Sequence, residues 1–198
     1  MPRTPRNVLA ALLAVAAVTV LGAGGASALP DPRDLGGEQT GPPPWPAPAD
    51  PSAAVREAGL PMLSAEGVVQ HTHTHLDVLV DRRPVTVPAS VGIDEAGGRI
   101  SPVHTHDTSG VIHVESPRPA VFTLGQFMAE WRVPLAADRI GGLRAGKGRH
   151  LTAYVNGRKV GGNPAAIELR GHDEIALVFA RDNDTGPVPK SYAWPQGL

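Results

Sequence analysis

The segment QHTHTHLDVLV, residues 70–80, constrains the fold more than any other stretch of the chain. In a strand, successive side chains point to opposite faces. His71, His73, His75 and Asp77 then share one face, while Leu76, Val78 and Val80 share the other. A helical period of 3.6 would mix these two sets, so the segment is expected to be a strand with an apolar face toward a core and an imidazole face away from it.

The same division recurs twice. His104 and His106 lie on one side of the segment 102–106 with Val103 on the other, and His113 and Glu115 oppose Ile112 and Val114. Six of the eight histidines fall between positions 71 and 113. If the three strands are neighbours, their imidazoles gather on one sheet face. Same-face residues are about 6.6 Å apart along a strand and about 4.8 Å across strands, and side chains can close those gaps to zinc–nitrogen bonds of about 2.0–2.1 Å. A polar strand face exposed to solvent would also tolerate histidine. Two HxH pairs, a His-x-Glu and three matching alternations favour a metal site.

The candidate ligands are His71, His73, His75, His104, His106 and His113, with Asp107 and Glu115 as direct ligands or as acceptors for the second ring N–H of a ligating histidine. Asp77 could orient His75 in the same way. His71 and His75 are some 13 Å apart along an extended strand, so the first strand should give two ligands to any one ion. His150 and His172 lie outside the window and read as ordinary polar residues. The chain has no cysteine, so any site is built from nitrogen and oxygen donors. That donor set makes zinc the first expectation and copper(II) the second.

Arg3 and Arg6, the apolar run Val8–Leu21 and Ala26-Ser27-Ala28 have the pattern of a secretory signal peptide over residues 1–28. The expected location is therefore extracytoplasmic. Left uncleaved, the segment would anchor the protein in a membrane. Without it, 16 basic residues face 19 acidic ones. Such a balance provides no positive field for nucleic acid.

Residues 29–54 carry eight prolines from Pro30 to Pro51 and are expected to be a disordered spacer. Residues 55–181 suit a single metal-binding domain, and residues 182–198 an irregular tail whose Tyr192 and Trp194 could dock back on it. Hairpins are expected where LDVLV turns at Asp81-Arg82-Arg83 and where LTAYV turns at Asn156-Gly157. Further strands are expected at 102–106, 111–115, 165–169 and 174–179. One helix, 124–132, should follow a capping box of Thr123 and Gln126, with Phe122 and Phe127 as a hydrophobic staple. The expected class is α+β, with a mainly antiparallel sheet built from hairpins and one covering helix.

HTHTHLDV, HTHDTSGVIHVE and FTLGQF, in that order, resemble a group of uncharacterised exported bacterial proteins over most of residues 68–180. That resemblance implies export. HTHDTSGVIHVE is also slightly similar to the metal-binding strands of cupins, although the spacing from the HxH pair to His113 departs from their pattern. His75-Leu-Asp77 with His113 resembles the facial triad of non-haem iron oxygenases. YVNGRKV with HDEIALVF resembles the β-grasp fold of sulfur carriers in the C-terminal half, without the terminal Gly-Gly that those proteins use. Three functions follow: sequestration or delivery of a divalent ion, metal-dependent hydrolysis or oxygenation, and a surface interaction domain without metal. More imidazoles than one catalytic centre needs, and no recognisable nucleophile, favour the first.

Overall fold

The structure is a computed structural model that describes residues 1, 39–184 and 186–198. The expected signal peptide, Met1 aside, and residues 29–38 of the expected spacer lie outside the described residues. The fold is α+β and dominated by strands. Its main sheet has seven: β1 (Gln70–Val80), β2 (Arg83–Val85), β3 (Val103–His104), β4 (Val111–Ser116), β5 (Arg149–Val155), β6 (Arg158–Val160) and β7 (Glu174–Arg181). The order is β6-β5-β7-β1-β4-β3, with β2 paired to β1. The pairings are antiparallel except at the centre, where β1 runs parallel to β7.

Both predicted hairpins form, with two-residue turns. Asp81 and Arg82 (φ 49° and 66°) close β1 onto β2, and Asn156 and Gly157 (φ 51° and 73°) close β5 onto β6. Positive φ at both central positions matches the right-handed twist of the strands, and Asn-Gly adopts it with little strain. The first turn is one residue shorter than expected, because Arg83 already pairs with Val80.

The core covers one sheet face. Leu76, Val78, Val103, Ile112, Val114, Ile175, Leu177 and Phe179 meet Leu124, Phe127, Met128 and Trp131 of α2 (Leu124–Glu130) and its end. The capping box forms as expected, with Thr123 accepting from the Gln126 N–H and Gln126 accepting from the Thr123 N–H. Phe122 and Phe127 are both buried beside it.

Three expectations need correction. First, residues 39–54 of the expected spacer belong to the folded body. Trp45 is buried, stands edge-on to Trp131 at 5.9 Å and accepts the Trp131 indole N–H through its carbonyl. One aromatic ring supplies burial that the average composition of the segment hides, and the flanking prolines lose little freedom when it docks. Second, α1 (Pro51–Glu57) joins the expected helix, capped by Asp50 and packed through Ala54 and Val55. Third, residues 165–169 are not a strand. Asn163 caps a short 3-10 turn at Pro164–Ala166, leaving one bridge between Glu168 and Thr123. Among the described tail residues, 182–184 and 186–198, no helix or strand forms, and Tyr192 and Trp194 pack against His75 and His172.

Candidate metal centre

The register of three strands builds the site. β1, β4 and β3 lie side by side, with His73 opposite His113 and His113 opposite His104, so three imidazoles form one rung across the sheet. The next rung places His71 opposite Glu115. His106 follows β3 and turns back, bringing its Nε2 to 3.1 Å from that of His104. The alternation expected from the sequence produces this: Val103, Ile112 and Val114 fill the core behind the rung while the histidines stand on the opposite face.

That face is more enclosed than a solvent-exposed surface. His104 is fully buried, His73 is 5% and Glu115 2% exposed, and only His71 and His106 reach solvent freely. Burial, reinforced by neighbouring imidazoles, lowers the pKa of His73 and of His113 to about 4. For His104 burial lowers it to about 3, against the opposing pull of its bond to the Ser101 carbonyl. These rings are neutral at ordinary pH, as a metal ligand must be. Burial, and Glu66 beyond it, push the Glu115 carboxyl up.

Hydrogen bonds fix which nitrogens carry lone pairs. His104 Nδ1 lies 2.9 Å from the Ser101 carbonyl, which can only accept, so the proton sits on Nδ1 and Nε2 presents its lone pair. His113 Nδ1 lies 3.1 Å from Glu115 Oε1, and His71 Nε2 lies 3.2 Å from the same oxygen. Four buried side-chain atoms are left without a hydrogen-bond partner among the described residues: Glu130 Oε2, Glu174 Oε1 and, in this cluster, His73 Nε2 and Glu115 Oε2. Buried polar atoms rarely stay unpaired unless a function requires it. The two in this cluster belong to groups of residues with metal-ligand spacing, and Glu174 belongs to another.

Ligand atoms of His71, His73, His113 and Glu115 lie within 4.8 Å of one another, and so do those of His104, His106, His113 and Glu115. Five of the six expected histidines and one of the two expected carboxylates are therefore brought together. His75 stands apart. It pairs across the parallel strands with Glu174, which its Nδ1 meets at 2.7 Å, while its Nε2 donates to the Ser109 carbonyl at 2.8 Å and its ring stacks on Tyr192 at 3.9 Å. Gly110 lets this ring in, since a Cβ there would stand 2.9 Å from His75 Nε2. Burial opposes a charge on His75, but the Glu174 carboxylate outweighs it and raises the imidazole pKa. His75, Asp77 and Glu174 form a separate group with ligand spacing. Asp107 joins none of these groups and accepts the Ser109 N–H in a turn.

Sequence reasoning missed three neighbours. His172 donates its backbone N–H to the His73 carbonyl. Glu174 opens β7 opposite His75. Glu130, fully buried on α2, accepts from the Ser101 hydroxyl and so ties the helix to the residue that orients His104. Nothing in local spacing could have found them, because each contact joins distant parts of the chain. No family model matches the chain, and neither the curated proteins nor the solved structures include a match to it. Among the described residues no helix is long and apolar enough to cross a membrane.

Proposed function

We propose that this protein is exported and binds a divalent transition metal ion through the histidine cluster, to sequester or deliver it. Buried atoms without partners carry this reading: His73 Nε2 and Glu115 Oε2 stand in groups of residues with ligand spacing and have no hydrogen-bond partner among the described residues. Bound cations would satisfy both. Nitrogen and oxygen donors without sulfur suit zinc first and copper(II) second. Exposure of His71 and His106 at the rim favours, as a second reading, a metal-dependent hydrolase with a coordination position open to water. The hairpin β1–β2, helix α2, hairpin β5–β6 and a final strand parallel to β1 support a β-grasp-like arrangement, which carries no activity by itself.

Zinc affinity of the tag-free protein, measured by competition with a chromogenic chelator, tests the reading. His73→Ala and His104→Ala should each weaken binding at least tenfold, and His150→Ala, far from the cluster in an ion pair with Asp182, should not. Equal affinities in all three variants would remove the site from this face.

A further inference from the structure

The six clustered residues cannot all serve one ion. They divide into two sets, His71 with His73 and His104 with His106, each completed by the shared His113 and Glu115. A spread of 4.8 Å between donor atoms is already generous for a centre with bonds of about 2.0–2.2 Å, and each set of that spread in the cluster has four members.

We infer that the face holds two metal ions bridged by the Glu115 carboxylate, one bound by His71 and His73 and the other by His104 and His106. This deepens the metal-binding reading above and rests on it. The two halves are built alike. Each has one buried imidazole, His73 or His104, and one exposed imidazole at the rim, His71 or His106. Glu115 lies between them with its two oxygens aimed apart. Oε1 is 3.2 Å from His71 Nε2, and Oε2 is 4.0 Å from His104 Nε2. In the second half the Ser101 carbonyl holds the His104 proton on Nδ1, so a nitrogen lone pair faces a carboxylate oxygen that has no hydrogen-bond donor among the described residues. In the first half the unpartnered atom is His73 Nε2. Each half thus contains a buried atom without a hydrogen-bond partner that a cation would satisfy, His73 Nε2 in the first and the shared Glu115 Oε2, nearest His104, in the second. His113, with Nδ1 on Glu115 Oε1, keeps Nε2 for one of the two ions.

A bridging carboxylate also suits the charge. Two divalent ions among imidazoles, which bring no negative charge, need an anion that both can share, and Glu115 is the buried carboxylate common to the two sets.

Ion counting on the tag-free protein, saturated with zinc and freed of excess, tests the inference. Two zinc ions per chain are expected. One should remain when His71→Ala and His73→Ala are combined, and one when His104→Ala and His106→Ala are combined. Asp77→Ala, which alters the third group with ligand spacing, should keep both ions. Loaded with two equivalents of copper(II), the unmodified protein should give an electron paramagnetic resonance signal weakened by spin coupling through the bridge. The count and this spectrum need no variant to fold. One zinc per chain would overturn the pair of ions and leave the metal-binding reading standing. So would uncoupled copper, or a loss of one ion on Asp77→Ala. Failure of zinc and copper(II) alike to bind would overturn both.

Discussion

His73 and His75 are two residues apart on the same face of β1 and almost equally buried, at 5% and 4% exposure, yet their chemistry is opposite. His75 has both ring nitrogens bonded, to Glu174 and to the Ser109 carbonyl, and its pKa is raised. His73 has an unpartnered Nε2, and burial lowers its pKa to about 4. Burial alone therefore does not decide what a histidine does; the partner across the strand does. Opposite His75 stands a carboxylate that supplies charge, and opposite His73 stands another neutral imidazole. One arrangement holds a proton, and the other is suited to hold a metal.

Removing His75 should break this contrast most severely. His75→Ala strands the Glu174 carboxylate in a buried position, and losing one partner of a buried pair costs about 3 kcal/mol or more. Urea unfolding should register that loss without metal, whereas His73→Ala should cost far less, since it removes an unpaired buried atom. Similar losses in both would show that the two histidines are structurally equivalent.

Metal should sharpen the contrast in the other direction. Zinc at a hundredfold excess over its dissociation constant should stabilise the folded protein by about 2.7 kcal/mol, read as a rise in Tm. His75→Ala should retain the increment from its lower starting point, and His104→Ala should lose most of it. An increment lost with His75 would shift the site to the Glu174 group.

Without metal, the pH profile should differ in sign between the two environments. His104 has a folded pKa of about 3 against about 6.5 for a free histidine. The unfolded chain binds the proton first as pH falls, so stability is lost between about pH 6.5 and 3. By pH 5 that loss reaches about 2 kcal/mol for this residue. His75 acts oppositely: its folded pKa is raised, so its contribution is full below about 6.5 and is lost as pH rises through the folded value. Urea midpoints at pH 7 and pH 5 should fall less steeply in His104→Ala than in the unmodified protein. Parallel slopes would contradict a neutral, buried His104.

The smallest effect is expected at Asp107. Its carboxylate holds a turn N–H and contacts no metal group, so Asp107→Ala should cost about 1 kcal/mol of stability and leave zinc affinity unchanged. A tenfold loss of affinity would restore it as a ligand.

The period of two in HTHTHLDV and VIHVE was enough to place the imidazoles opposite the core, and the capping box located α2. Periodicity says which face a side chain takes but nothing about which strand lies beside it. The assignment of His75 turned on β7, whose Glu174 is 99 positions away in sequence and pairs through the parallel contact at the sheet centre. Trp45 was hidden for a related reason: a proline-rich context sets the average, while a single ring filling a gap beside Trp131 sets the fold. Glu130 carries no motif that marks it in the sequence, and only the packing of α2 buries it against Ser101.

Nitrogen-15 NMR of the imidazole side chains, recorded on the tag-free protein before and after zinc, tests the central claim most directly, because it reads each ring nitrogen separately. Nε2 of His73 and of His104 should move from the position of a nitrogen with a free lone pair to that of a metal-bound one, while His75 keeps a protonated Nε2 and an unchanged spectrum. A response at His75 with none at His73 and His104, or no response from any histidine, would contradict the account.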